Sequence, residues 1–431
     1  KTQEMQKYQP KAVEIFKNTY SSASKGNFDI YILFIEKASS LVKEGGKIGY
    51  ICPHKFFNSG YGENIRNILS NNKLLHKILH FGVNQIFKNA TTYTCLLFLN
   101  KESNNSFNFY EYKQEVSTIE EDVANDSIPY FSISSEKVSS DNWTFMNAES
   151  NDKMEKICNG KPLLEELVTN IFQGPKAGAD PVFILKCIKK TENGIMAYSN
   201  SLDMNIEIET SLLHPYRKGK NIRKNHIITS DEYIVFPYTS DGTLVEIKEI
   251  EHKYPLTYSY LSNPINKNIL LAREEGRFKK IWWSYSRPQN MKILFSEKIL
   301  TPFNSFSASY AYDTERNFIF SAGVSGAYGI VLKNDAGISY EYLTALLNST
   351  TLDNYLKAIS TALRGGYYSY ENKYIKQLPI YIPNKKDNDK YSLCMKIEEM
   401  QKNIISERTM SDKDRMFLES KIDELVEVLY S

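Results

Sequence analysis

The 431-residue sequence has little that could hold it together covalently. Its five cysteines are an odd number at irregular spacing, which excludes a disulfide scaffold and a cysteine-rich zinc site. No apolar run reaches membrane-spanning length, and residues 1–9 show no signal-peptide pattern. The chain is therefore expected to be soluble and cytoplasmic, in a reducing compartment. Net charge is almost absent, since 53 Lys+Arg face 51 Asp+Glu. Any nucleic-acid role must rest on local patches and not on bulk charge. The six histidines (His54, His76, His80, His214, His226, His252) lack metal-ligand spacing. Neither a Walker loop nor a clear nuclease carboxylate cluster is present.

What is present is enough apolar material, 42% of residues, for two or three domains. Aromatics reach 13%. An AT-rich genome explains most of that excess, and the rings remain compatible with stacking on bases. The first third alternates helix and strand. Ile30, Phe34, Ala38 and Leu41 share one face of a helix predicted over 29–42, and Gly45-Gly46 stops it. Lys47-Ile48-Gly49-Tyr50-Ile51-Cys52 reads as a buried strand ended by Pro53. A helix over 61–71 follows, with Ile65, Ile68 and Leu69 inward, then strands over 77–81 and 93–99. Such alternation indicates an α/β sheet. Residues 111–166 turn acidic, with 132–141 as loop, and read as a connector in which Asn142-Trp143-Thr144-Phe145 docks onto something. Residues 163–383 mix short strands and helices. The last segment carries two helical stripes: Leu393, Ile397, Met400 and Ile404, then Leu418, Ile422, Leu425 and Leu429. Ser411 with Asp414 starts the second as a weak capping box.

Two constellations carry chemistry. The first contains Lys25-Gly26-Asn27-Phe28-Asp29-Ile30-Tyr31, Gly45-Gly46-Lys47-Ile48-Gly49-Tyr50-Ile51, Pro53-His54-Lys55-Phe56-Phe57, Ser59-Gly60-Tyr61-Gly62, Phe81-Gly82, Phe87 and Ala90-Thr91-Thr92-Tyr93-Thr94. It places an aromatic-bearing loop at a strand's C-terminal end, where open α/β sheets bind ligands. The second contains Gln173-Gly174, Tyr216-Arg217-Lys218-Gly219-Lys220-Asn221-Ile222, Arg273, Trp282-Trp283, Arg287-Pro288, Lys298-Ile299, Leu346-Leu347-Asn348-Ser349, Arg364-Gly365-Gly366-Tyr367 and Leu378-Pro379-Ile380. In this order the pieces resemble the C-terminal part of adenine-specific DNA methyltransferases of the TaqI-like type, including fused type II (type IIG) restriction-modification enzymes. The resemblance covers most of the chain.

The resemblance implies an α/β fold. Residues 1–112 would be the second half of an S-adenosylmethionine-dependent catalytic domain, 113–162 the acidic connector, 163–383 a mixed α/β target recognition domain and 384–431 a helical tail. It implies N6-methylation of a flipped adenine in double-stranded DNA, within a restriction-modification or phage-defence system. The complete enzyme would use S-adenosyl-L-methionine and need no metal for methyl transfer. The chain departs from the family in one respect. The Gly-containing donor loop and the Asn-Pro-Pro-Tyr loop should precede Lys25, and no Asn-Pro-Pro occurs. The expectation is a fragment or split-enzyme part, inactive alone, whose partners are DNA and the N-terminal catalytic portion or another subunit.

A base inside a duplex must be flipped out before it can be modified. Tyr61 is the first candidate for the stacking aromatic, followed by Phe57 and Phe56, which could equally be core residues at a strand end. Arg273, Arg277, Lys279, Lys280, Trp282, Trp283, Tyr285 and Arg287 suit phosphate contact and stacking, or else a solvated basic face over a buried Trp pair. Arg217, Lys218, Lys220, Arg223 and Lys224 form a second basic run. Arg364, Gly365, Gly366 and Tyr367 could approach DNA closely or form an ordinary turn. Asp29 reads as a helix cap in preference to an active-site group. Two rival readings are a stand-alone DNA specificity subunit without catalytic role and an interaction protein using its helical tail.

Overall fold

The computed structural model describes every residue except 1, 83, 88–91, 113–115, 146, 277 and 408–409. The chain divides into two units. One comprises Lys1–Glu155 with Lys357–Tyr368, the other Lys156–Leu356 with Ser369–Ser431. Both contain helices and sheets.

In the first unit, Asp29 adopts extended backbone and its carboxylate accepts from the Ile30 amide at 3.2 Å. That satisfies one of the open donors at the start of the helix Ile30–Leu41. The helix turns Ile32, Leu33 and Ile35 into the core. Ile30, Phe34 and Leu41 instead face outward, with Phe34 58% and Leu41 71% exposed. The helix is apolar on two faces, so periodicity alone could not choose between them. Helix Glu63–Asn71 buries Ile65 and Leu69 as expected.

Five strands follow: β1 (Lys47–Pro53), β2 (Leu75–His80), β3 (Thr94–Asn100), β4 (Ser106–Glu111) and β5 (Phe131–Ser134). Their order is β1-β3-β2-β4-β5, antiparallel except for the parallel pair β2–β4. β1 is therefore an edge strand, and its Ile51 is 46% exposed. The apolar run that read as a buried strand has one paired side only. An apolar edge and an apolar interior strand look alike in sequence. The region read as a connector is also more than a linker. β5 extends the sheet, and Trp143 is buried among Phe56, Phe57 and Phe145.

The second unit holds a six-stranded sheet, a four-stranded sheet and a short ribbon. Its first strands are β6 (Val168–Gln173), β7 (Ile184–Lys190), β8 (Ile195–Ser199), β9 (Met204–Ile208) and β10 (Leu213–Arg217). β11 (Ile222–Arg223) and β12 (His226–Ile227) make the ribbon. After β13 (Glu232–Val235) come β14 (Lys298–Pro302), β15 (Asn304–Ser305), β16 (Ala311–Asp313), β17 (Ile319–Phe320) and β18 (Ala327–Leu332). The larger sheet runs β17-β10-β13-β7-β8-β9, the smaller β16-β14-β18-β6. Two long helices, Asn388–Ser406 and Asp412–Tyr430, close the unit and pack on each other. Ile397, Ile404, Ile422 and Leu429 are buried, and the Ser411 hydroxyl caps the second helix by accepting from the Asp414 amide. Among the described residues no helix is long and apolar enough to cross a membrane.

One buried ion pair stands inside the smaller sheet. The Lys298 ammonium lies 2.5 Å from Asp313, both side chains fully shielded, between the rings of Phe318 and Phe320. Burial pulls the lysine below its usual range, and the Asp313 charge opposes that shift.

Candidate base pocket and nucleic-acid interface

The loop after β1 is held by hydrogen bonds to one side chain. Pro53 ends the strand, and two short turns follow, His54–Phe57 and Gly60–Gly62. Arg66, buried in the next helix, donates through Nη1 to the carbonyls of Phe56 (2.5 Å) and Ser59 (2.9 Å), and through Nε to that of Ser140 (2.9 Å). Gly62 passes so near the Phe56 carbonyl that a Cβ would sit 2.0 Å from its oxygen. The consequence for the predicted pocket is a correction. Phe56 and Phe57 point inward and are buried against Trp143. They pack the core and offer no face to a base. Tyr61 is only partly buried, and its hydroxyl lies 2.9 Å from that of Tyr31. Burial raises both phenols, so both are neutral at physiological pH.

Two imidazoles meet at the same end of the sheet. His54 follows β1 and His80 ends β2, with ring centroids 4.0 Å apart. His54 Nε2 donates to the Gly82 carbonyl (3.2 Å), and the Gly82 amide donates to His80 Nδ1 (3.0 Å). Gly82 serves both through a left-handed φ of +53°. Burial lowers His54 to about 4 and drives His80 well below 6.5, with the neighbouring His54 adding to the second shift. Both rings are neutral in the fold. Below about pH 6.5 the unfolded chain therefore takes up protons that the folded state refuses. Stability is full above that pH and falls as pH drops toward about 4, where His54 itself protonates. The expected slope is about 1.4 kcal/mol per pH unit for each histidine. Urea melts between about pH 7.5 and 5.5 measure it, and His54→Phe should remove about one proton's worth. An unchanged acid slope in that variant would contradict the assignment.

Some residues of this end escaped the sequence reading as site groups. Arg66 and His54 shape this end, and Phe87, in the loop after Gly82, is a ring 43% exposed. The available signal for Phe87 was a single aromatic set among Asn84, Gln85 and Lys88, where a core ring is not expected.

In the second unit the basic–aromatic cluster separates into two populations. Trp282, Trp283 and Tyr285 are buried; the Trp283 indole donates to the Val245 carbonyl (2.9 Å) and the Tyr285 hydroxyl to that of Val235 (2.7 Å). Arg273 is buried too, and its guanidinium donates to four backbone carbonyls. These four are packing residues, which corrects the expectation that they face DNA. A large ring whose polar atom has a carbonyl to donate to gains more from burial than from exposure. Lys279, Lys280 and Arg287 are exposed, and Arg277 lies outside the described residues. In the other run Arg217 is buried over the Phe318 ring, another correction, and Lys218 pairs with Glu232 at 2.7 Å. Lys220 and Arg223 are exposed and Lys224 is partly buried. The Arg364–Gly366 turn has φ of +77° at Gly365 and +79° at Gly366; the Arg364 side chain lies outside the description. Tyr367 is 48% exposed. Among the described residues, no three His, Cys, Asp or Glu side chains come together in a way that could hold a metal.

Comparison with known proteins places these units. Residues 1–87 match the family described as Eco57I restriction-modification methylase, and residues 214–380 match the TaqI-like C-terminal specificity domain. The chain carries an Eco57I-type methylase region followed by a TaqI-like specificity domain, and its homologues are type II restriction-modification methyltransferases. Among them is the type II restriction enzyme and methyltransferase RM.Eco57I of Escherichia coli, 30% identical over 88% of this chain and 39% of that protein. Another is the type II methyltransferase M.BstVI of Geobacillus stearothermophilus, 20% identical over 85% of this chain and 64% of the relative. The chain thus spans less than two thirds of either. The solved structure of the Type IIL restriction-modification enzyme MmeI in complex with DNA aligns with a TM-score of 0.56 at 14% identity, over 96% of this chain and 50% of that one. At that identity the likeness shows the fold alone.

These homologues imply S-adenosylmethionine as methyl donor. The side chains gathered at the β1–β2 end are Phe56, Phe57, His54 and His80, rings that are buried or bonded to Gly82. These four rings carry no carboxylate for ribose hydroxyls, although the Glu111 carboxylate lies beside Gly82, opposite His80 on β4, at the same end of the sheet. These residues do not make a donor site by themselves.

Proposed function

We propose that this chain is the target-recognising part of a site-specific adenine (N6) DNA methyltransferase of a restriction-modification system, with part of the catalytic fold attached. The observation that carries the reading is the succession of a methylase region and a specificity domain in one chain. In this reading the first unit's sheet is one half of a methyltransferase sheet. The chain's own contribution is to bind duplex DNA and receive an extruded adenine. Phe87, an exposed ring in the loop after β2, is one candidate for the stacking face, and Tyr61, beside its hydroxyl partner Tyr31, is the other. The two histidines of the β1–β2 end are neutral, which suits an uncharged base. A specificity subunit without catalytic role is disfavoured because it has no need of the methylase region at 1–87.

Expression of the full-length gene in a host without adenine methylation tests the reading. Sequencing of modified bases should show N6-methyladenine at one recurring motif; absence of any motif above background would sink it. The exposed cations give a separate test. Lys279, Lys280 and Arg287 each neutralise a phosphate in this reading. The variant with all three changed to alanine should bind about tenfold or more weakly and lower the log–log salt slope by roughly 2–3. Filter binding across salt concentrations measures both, and an unaltered slope would remove these residues from the interface.

A further inference from the structure

Residues Lys357–Tyr368 lie within the span that matches the specificity domain, yet they fold with the first unit. β19 (Ala362–Leu363) and β20 (Tyr367–Ser369, its last residue counted with the second unit) form an antiparallel hairpin closed by the Arg364–Gly366 turn. One side chain meets that turn twice. The Tyr93 hydroxyl donates to the Leu363 carbonyl at 3.0 Å and accepts from the Gly365 amide at 2.9 Å. Tyr93 is equally tied to the β1–β2 end of the sheet. Its carbonyl accepts from the His54 amide at 3.2 Å, and its ring lies nearly parallel to the His54 ring, 11° apart with centroids at 6.3 Å. His54 is in turn packed on His80. The hairpin tip stays outward, with Gly365 exposed and Tyr367 half exposed.

We propose that Tyr93 is a positioning residue that couples the β19–β20 hairpin, acting as a target-sensing element, to the histidine end of the methylase sheet. This rests on the proposed methyltransferase function and adds to it the route by which target reading reaches the base pocket. Two consecutive left-handed glycines make the turn soft, because glycine loses more conformational freedom on ordering than any other residue. The two bonds from one hydroxyl fix that turn on a rigid strand end. DNA seated against the tip is thereby registered to His54. A duplex that displaces the tip strains the same hydroxyl, so a wrong sequence is disfavoured at the modification step and not only at binding.

Tyr93→Phe in the full-length gene product removes both hydroxyl bonds and leaves the ring over His54. The expected result is a kcat on the cognate duplex lowered about tenfold, with Kd for that duplex within about threefold of wild type. The preference for the cognate site over a site with one changed base pair should narrow by about tenfold in kcat/KM. Hydrogen exchange of the peptide spanning 360–370 should speed up in the variant, with Gly365 as the reporting amide. A parallel fall in kcat and affinity, or unchanged kcat and discrimination, would overturn the coupling. Unchanged exchange at Gly365 would overturn the latch itself. If the wild-type protein methylates no adenine, the methyltransferase reading fails and the exchange measurement still decides. Duplex DNA should then slow exchange at Gly365 in wild type and not in Tyr93→Phe, and equal protection in both would reject the proposal.

Discussion

Replacing Arg273 with alanine is expected to destabilise the second unit by about 3–5 kcal/mol, a melting shift on the order of 10 °C. The guanidinium is buried and donates to four backbone carbonyls: Leu270 (3.0 Å), Ala177 (3.0 Å), Ser284 (2.8 Å) and Trp282 (2.6 Å). Its flat faces lie near the rings of Phe183 and Phe278. Truncation leaves buried acceptors without donors and a hole where the guanidinium stood. Lysine restores the charge but not the fork, so Arg273→Lys should recover little of the loss. A phosphate contact would behave in the opposite way. It would leave stability within about 0.5 kcal/mol and flatten the salt slope by about one. Urea melts and salt titrations of the same variant distinguish the two, and a stable variant with a shallower slope would return Arg273 to the DNA surface.

Asp313→Ala is expected to cost a comparable amount, about 3–5 kcal/mol, because it leaves the fully shielded Lys298 ammonium without a counter-charge. The pair itself contributes far less than that figure. Two charges drawn out of water give back in desolvation most of what they gain in attraction. The double variant Lys298→Met with Asp313→Leu should therefore lie within about 2 kcal/mol of wild type, despite carrying two changes. Equilibrium melts of the two single variants and the double one decide the matter. A double variant as unstable as Asp313→Ala would show that the pair, and not the unpaired charge, carries the effect.

Local signals were the most legible part of the sequence. Asp29 and Ser411 cap helices where their side-chain chemistry says they should, and the stripes through Ile397, Ile404, Ile422 and Leu429 face inward. These depend on neighbours within one turn. Orientation toward the rest of the fold was less legible. Ile30, Phe34 and Leu41 make as good a stripe as Ile32, Leu33 and Ile35, and only the sheet decides which is covered. The same limit explains Trp282, Trp283 and Arg273. A basic–aromatic run is compatible with a binding face and with a core anchor, and the choice depends on carbonyls from distant positions such as Ala177 and Val245. Tyr93 was legible only as part of a motif, since its hydroxyl partners lie 270 residues downstream or more.

The return of Lys357–Tyr368 to the first unit bears on engineering. Exchanging recognition modules between relatives by cutting at the ends of the 214–380 span would carry this hairpin away with the graft. The host's Tyr93 would then face a foreign turn. Chimaeras that keep the host's own 357–368 are the ones expected to acquire a new target and retain turnover.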